Sequence, residues 1–569
     1  MDYTIKIGGE AGQGIQTIGD VLAQIFTHVG YHVFIYQDYE SRIRGGHNFV
    51  QLRFSNTPIT ALKKGVDLLV CLNKESFYRH FNELTDWGQI LYDSLMVKEK
   101  FEYPNVLDIP LQELALKEGG NKLMVNVVAV GAILGMFGID PNPMYEVLRK
   151  TFYKKGKEVV ENNIRSAKAG YSFAKENCLT CSFKLSEYTE PKFLISGNEA
   201  IGLGALASGV QFFSAYPMTP STGIFNFLAE HSKEFEILVE QAEDEISAIN
   251  MIIGASFAGV RSMTATSGGG FALMVEGISL AGMTETPVVI VLAQRPGPAT
   301  GLPTRTEAGD LLFSIFAGHG EFPKVVFAPG SPEQAMFLVN KAFDLAEKYQ
   351  IPAIILSDQY LADSQWTYKD LDISRLKNIN YRLRGEEFRK LKEYKRHQFT
   401  ETGISPFGIP GDTTHLVVTD SDEHDEEGHL IEDVETRIQM VQKRWHKKIP
   451  LLKKEISPPS FYGIEKPDIL LLCWGSMFGI LYETAKYLSR DHKVALLHFS
   501  EIYPFSHDEN WKRHFEDAKV IINIEQNATS QFAKLLMMEA GLRPHYHVNK
   551  YDGRPFTVDE LEDKIRAYL

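Results

Sequence analysis

Apolar and polar positions along this chain fall into repeated blocks of strand, glycine turn and helix. The apolar run Tyr3 to Ile7 ends at Gly8 and Gly9, and past the polar turn Glu10 to Gly14 the residues Ile15, Ile18, Leu22, Ile25 and Phe26 recur at helical spacing. A second strand starts near Tyr31, which predicts a β-turn-α-β opening, and Val66 to Cys71 and Leu123 to Val130 are further buried segments of that region. A new block begins near Pro191, where Phe193, Leu194 and Ile195 lead through Gly197 into a small-residue helix over Glu199 to Val210 and a strand over Phe212 to Tyr216. Strands follow at Phe235 to Val239, Val260 to Ala265, Val288 to Leu292 and Pro352 to Leu356, with helices from Ile246 towards Gly254 and over Pro332 to Lys348. After a linker-like stretch, Lys443 to Lys466, a last block carries strands at Asp468 to Leu472, Val494 to Phe499 and Val520 to Ile524 and a helix at Leu481 to Leu488. The expected fold class is α/β and multidomain, divided as 1–188, 189–370, a charged connecting region 371–465, and 466–569.

With 569 residues and 44% apolar content, each block has enough material for its own core. The net charge of -14 favours solubility and gives no support for a nucleic-acid surface. No apolar window approaches a membrane span and the start lacks the layout of a signal peptide, so a cytoplasmic location is expected. Four cysteines argue against a disulfide scaffold, and the single CxxC of Cys178 and Cys181 is too few thiolates for a cubane cluster; its expected role is structural. The basic stretch Arg382 to Arg396 reads as a solvated or subunit-facing helix. Asp420 to Glu427 with His429 reads as solvent-facing charge without metal-ligand spacing, so no metal site is assigned.

Candidate chemistry sits at the turns. Gly12 and Gly14 permit close packing and expose amides to an anion at a helix start. Asp38 follows the second strand, but Gly9, Gly12 and Gly14 miss the GxGxxG spacing, so a nicotinamide-dependent dehydrogenase is a poor alternative. In SRIRGGH, Ser41 to His47, Arg42 and Arg44 flank a glycine pair and suit either a phosphate or carboxylate clamp or an interface loop. In SAYPMTPSTG, Pro217 and Pro220 restrict a strand-end loop on which Thr219, Ser221 and Thr222 offer short polar groups. The acids Glu240, Glu243, Asp244 and Glu245 mark a helix start, where a lone carboxylate is ordinarily a cap or surface charge. Ser267 and the glycines Gly268 to Gly270 let main chain pass close to a bound group, and Arg295 follows the next strand.

In this order, and over nearly all 569 residues, the chain resembles the alpha subunit of 2-oxoacid:ferredoxin oxidoreductases, with a gamma-like domain fused at its amino terminus. The resemblance implies a gamma-like α/β domain, a pyrimidine-binding thiamine-enzyme domain and a transketolase C-terminal-like domain. It implies Glu245 as the catalytic carboxylate aimed at the aminopyrimidine, Tyr216, Pro217, Thr219, Pro220, Ser267 and Gly268 as cofactor-binding residues, and Arg295 with Thr304 as contacts for the 2-oxoacid carboxylate. Gly12, Gly14, Arg42 and Arg44 are implied as a coenzyme A region. Met218 stands where the family usually has isoleucine, and Gly269 where it often has proline.

The glycine-aspartate-glycine turn and later asparagine of a magnesium-diphosphate site are not found in the chain. The resemblance therefore implies thiamine diphosphate shared with a separate beta subunit that carries Mg2+ and a [4Fe-4S] cluster, coenzyme A as co-substrate and ferredoxin as acceptor. The implied activity is oxidative decarboxylation of a 2-oxoacid to its acyl-coenzyme A. A noncatalytic assembly subunit is the alternative of a different class. Glu525, Gln526 and Asn527 resemble a family segment and are interface or ligand-loop candidates; Asn527 also opens a glycosylation sequon.

Overall fold

Two sets of strands separate the chain into two units in the computed structural model, which describes residues 1–42, 45–181, 183–185, 190 and 192–569. Arg44 and the expected domain boundary at 188 and 189 lie outside the described residues. The first unit comprises 1–195, 364–371 and 556–561. Its eight-stranded sheet runs Val106–Asp108, Leu84–Tyr92, Val66–Cys71, Asp2–Ala11, Gly45–Ser55, His32–Asp38, Gln365–Tyr368, Phe193–Ser196. The helix Ile15–Val29 buries Ile15, Ile18, Leu22, Ile25 and Phe26, the stripe its periodicity predicts. Gly14 caps it in the left-handed region at φ 71°, and a side chain there would run into Asn126.

Gly45–Ser55 lies antiparallel between Asp2–Ala11 and His32–Asp38. The two strands of the predicted opening are therefore not neighbours, which removes the adjacent parallel pair that a nicotinamide site uses. Phe193–Ser196 and Gln365–Tyr368 also belong to this sheet, although the first reads as the start of the following block. Periodicity identifies a strand and leaves its sheet open. Cys178 and Cys181 are joined in a disulfide and pack on the core of this unit.

The second unit comprises 196–363, 372–555 and 562–569 and holds two sheets. The larger runs Leu238–Gln241, Phe212–Ala215, Ser262–Thr266, Val288–Gln294, Pro352–Asp358, Val325–Phe327, all parallel, closed by an antiparallel Glu501–Tyr503. Val288–Gln294 and Pro352–Asp358 are buried throughout, as central parallel strands covered on both faces must be. The five-stranded sheet runs Ser460–Gly463, Val494–Phe499, Ile469–Trp474, Val520–Glu525, Tyr546–Asn549, and its Leu470, Leu472 and Leu497 share one core with Ile290, Leu292 and Ile354.

The charged region is more internal than its composition implies. Arg382 and Arg396 are buried, and between them only Gly385–Arg389 is helical. Lys443 to Lys466 is no linker: Val434–Val441, a π-helical turn Gln442–Lys447 and Lys448–Glu455 form a run of helix that buries Lys443 and Lys448. In the acidic patch His424 is buried, Glu423 pairs with Arg444 at 2.6 Å, and Glu426 with Lys395 at 3.2 Å. Glu423 and Glu426 are drawn inward by partners from distant parts of the chain, while Asp422, Glu427 and His429 stay exposed as expected. Among the described residues no single helix is long and apolar enough to cross a membrane, and no group of three or more His, Cys, Asp or Glu side chains is placed to hold a metal ion.

Candidate active site

Three neighbouring parallel strands, Phe212–Ala215, Ser262–Thr266 and Val288–Gln294, deliver Tyr216, Ser267 and Arg295 at their carboxyl ends. This is the edge at which ligands enter an open parallel sheet. Glu245 opens the helix Glu245–Phe257, and Asp244 caps that helix by accepting from the Ser247 amide at 2.7 Å. Of the four clustered acids, Glu240, Glu243 and Asp244 are exposed, whereas Glu245 is 4% exposed. Its Oε1 has no hydrogen-bond partner among the described residues. A buried acceptor left unpaired costs about 1 to 3 kcal/mol, more when charged, so this carboxylate is poised for a donor.

The glycine turn makes that position possible. A side chain at Gly270 would run into Thr266 Oγ1 and stand 2.5 Å from Glu245 Oε1. Ser267 precedes the helix Gly268–Met283, and its buried Oγ also lacks a partner among the described residues. The three glycines are the first turn of that helix. Gly269 is exposed there at its second position, where a proline is readily accommodated.

The Tyr216 to Thr222 loop is held from both sides. Ser221 bonds the Met218 carbonyl through its amide at 2.9 Å and its hydroxyl at 2.7 Å. Asn198 Nδ2 donates to the Pro220 carbonyl at 3.1 Å, and Arg295 Nη1 to the Thr219 carbonyl at 2.8 Å. Met218 Sδ lies 4.0 Å from Thr266 Oγ1, so the residue that departs from the family pattern links this loop to the glycine turn. Tyr216 is 42% exposed, and Pro217 and Thr219 are half-buried. Burial pulls the Arg295 guanidinium below its ordinary range, and no carboxylate pairs with it among the described residues. Thr304 is buried, with no hydrogen bond to Arg295 among the described residues.

The loop carrying Thr304 is fixed by the five-stranded sheet. The Ala308 amide donates to the Gln526 carbonyl at 2.8 Å, and Asn527 Nδ2 to the Ala308 carbonyl at 3.1 Å. Glu525, Gln526 and Asn527 are all buried, with Glu525 accepting from the Phe532 and Ala533 amides. They brace this loop from inside and are not an open ligand loop, and the Asn527 side chain is closed to glycosylation. Sequence reasoning missed Asp310 at the end of the same loop. A side chain at Gly268 would stand 2.6 Å from Asp310 Oδ2, and burial pushes the Asp310 carboxyl up to about 6. Such an acid exchanges its proton near neutral pH at the start of the Gly268–Met283 helix. No motif marks it in the sequence; only the fold brings it to Gly268.

In the first unit, Gly12, Gly14, Asp38, Glu40 and Arg42 line a cavity of about 380 Å³ at the start of the Ile15–Val29 helix. Arg42 pairs there with Glu40 at 3.2 Å.

Comparison with known proteins places the chain among relatives of one family. Residues 203–443 match the family described as pyruvate flavodoxin/ferredoxin oxidoreductase, thiamine diP-bdg, and residues 4–173 match the one described as pyruvate ferredoxin/flavodoxin oxidoreductase. The alpha subunit of a 2-oxoacid:ferredoxin oxidoreductase from Sulfolobus sp is 34% identical over 633 residues, covering 99% of this chain and 96% of that one. A 2-oxoglutarate synthase subunit KorA from Methanocaldococcus jannaschii is 33% identical over 65% of this chain and 98% of its own. The solved 2-oxoglutarate:ferredoxin oxidoreductase from Magnetococcus marinus, with 2-oxoglutarate, coenzyme A and succinyl-CoA bound, superposes with a TM-score of 0.91 at 31% identity, covering 100% of this chain and 99% of that one.

Proposed function

The chain belongs to the 2-oxoacid:ferredoxin oxidoreductase family as an alpha subunit with a fused gamma-like domain, and from that premise we propose how its residues divide the work. Its reaction is coenzyme A-dependent oxidative decarboxylation of a 2-oxoacid, carried out with a separate beta subunit. Thiamine diphosphate, when bound, supplies an acidic thiazolium carbon that adds to the keto group and takes up the electrons released with carbon dioxide. The residues here fit its aminopyrimidine end. Glu245 offers a buried oxygen with no hydrogen-bond partner among the described residues, in a cradle that a Cβ on Gly270 would fill, and this is the observation that carries the reading. Glu245 shares a proton with the pyrimidine ring; Ser267, Gly268 and the Tyr216, Pro217, Thr219 and Pro220 loop position that ring against it.

Arg295 binds the 2-oxoacid carboxylate, with Thr304 orienting it. A guanidinium partly withdrawn from water, without an acidic partner among the described residues and with one bond to Thr219, retains donors for a forked contact. Arg295→Met is expected to lower kcat/KM for the 2-oxoacid by about 10- to 100-fold, the loss of a charge-assisted hydrogen bond, with a much smaller change in thiamine affinity. Titrating the two ligands separately checks this; a normal 2-oxoacid response with defective thiamine binding would move Arg295 to the cofactor half.

The beta partner brings Mg2+, the diphosphate site and a [4Fe-4S] cluster, and ferredoxin takes the electrons. Exposed apolar side chains around the cofactor edge, Tyr216, Ile246, Met251 and Leu273, support a partner surface there. The cavity at Gly12, Gly14 and Arg42 is the coenzyme A candidate, its helix-start amides suited to a phosphate. The chain alone is expected to show no thiamine-dependent reduction of viologen with any 2-oxoacid, and addition of the beta subunit to restore it. Full activity of the isolated chain would reject the proposal.

A further inference from the structure

At the amino ends of two of the same strands, on the edge of the sheet opposite Glu245 and Arg295, a cavity of about 580 Å³ opens against the segment Asn378 to Arg384. Gln211 immediately precedes the Phe212–Ala215 strand and Arg261 the Ser262–Thr266 strand, and both line it. Leu206, Val210 and Phe235 give it an apolar wall.

Its charges do not balance. Three guanidinium groups, Arg261, Arg382 and Arg384, face one carboxylate, Glu347. Arg261 is spent on structure: its Nε donates to Glu347 at 2.9 Å, its Nη1 to Asn378 Oδ1 at 2.9 Å, and further donors go to the Ser208 and Ile379 carbonyls. Arg382 is buried with its Nε 2.7 Å from Glu347 Oε1, and its two terminal nitrogens make no hydrogen bond among the described residues. Burial pulls it down to about 10, and Arg261 and Arg384 add to that against Glu347. Arg384 is exposed and uses one nitrogen on the Gly259 carbonyl. The Asn378 amide nitrogen and the Gln211 side chain add donors without a partner among the described residues.

Excess positive charge held partly out of water is costly unless an anion answers it. The guanidinium nitrogens that Arg382 and Arg384 leave unbonded among the described residues match phosphate or carboxylate oxygens. We infer that this cavity is a second anion site that takes a small multivalent phosphate or carboxylate metabolite, separate from the thiamine and coenzyme A sites. Its ligand ties the Asn378 to Arg384 segment to the amino edge of the cofactor-binding sheet.

The test uses the full chain assembled with its beta subunit and saturated with thiamine diphosphate, Mg2+ and coenzyme A, so that those anion sites are filled. Orthophosphate and tricarballylate are titrated calorimetrically in separate arms, and the tighter of the two identifies the phosphate or the carboxylate class. Saturable binding of one ion per chain is expected, weakened about 10- to 100-fold by Arg384→Gln, the loss of one charge-assisted contact, and less by Gln211→Ala. Viologen-reduction turnover without the added ion should be unchanged in both variants, which also shows that they fold and assemble. Absence of saturable binding in both arms, or equal affinity in the parent and Arg384→Gln, overturns the inference.

Discussion

Glu245→Gln is expected to leave folding and assembly with the beta subunit intact while lowering turnover by about 100- to 10,000-fold, the contribution of one positioned acid-base group. Glutamine keeps the volume against Gly270 and Thr266, where the carboxylate now packs, so the first turn of Gly268–Met283 need not move. The exchangeable proton is lost, and an amide cannot hold the ring in its protonated state. Two measurements separate the steps: proton exchange at the thiamine C2 position, and steady-state viologen reduction. Both should fall together in Glu245→Gln. Normal C2 exchange in an assembled variant would show that Glu245 serves only packing and would move the assignment to another acid of the site.

Much of this site is legible in the sequence because its parts are local. Strand ends, a glycine turn and a helix start each leave a mark within about ten residues, and Tyr216, Glu245, Ser267 and Arg295 fall on them. What escapes is brought in from a distance. Asp310 carries no motif and becomes relevant through Gly268; Asn198 matters because it reaches Pro220. The same limit explains the strand Phe193–Ser196, whose pattern is right and whose sheet is not the expected one. The charged region misleads for a related reason. Arg396 reads as part of a solvated or subunit-facing helix and Lys443 and Lys448 as part of a linker, because a sequence shows how polar a residue is and not whether a buried partner awaits it.

That partner is Glu285, and removing its charge should produce the largest loss of stability in the second unit. Glu285 is 1% exposed just past the carboxyl end of Gly268–Met283, in the left-handed region at φ 51°. Its carboxylate pairs with Lys443 and Lys448, both fully buried, and lies 3.2 Å from His397 Nδ1, while its carbonyl accepts from Arg396 Nη2 at 2.7 Å. Burial by itself would raise the Glu285 carboxyl; Lys443, Lys448 and His397 overcome this and hold it well below the usual carboxylate range.

A folded-state value below the unfolded one means that this stabilisation is present above the ordinary carboxylate range and is lost as pH falls through the folded value. Glu285→Gln leaves two buried ammonium groups without a counter-charge, at a cost of about 3 to 5 kcal/mol. Glutamine tolerates the same backbone region no worse than glutamate, so the loss reports charge. Replacing Lys443 by methionine in the Glu285→Gln background should recover part of it, because one uncompensated cation is then gone. Urea unfolding of the parent and both variants, repeated from neutral to acid pH, checks the argument. The parent should lose more stability in acid than Glu285→Gln does, because the other low carboxylates, such as Glu423 and Glu455, remain in both. A single variant within 1 kcal/mol of the parent would mean that the lysines shed their protons at little cost and that the carboxylate is not what holds this region in place.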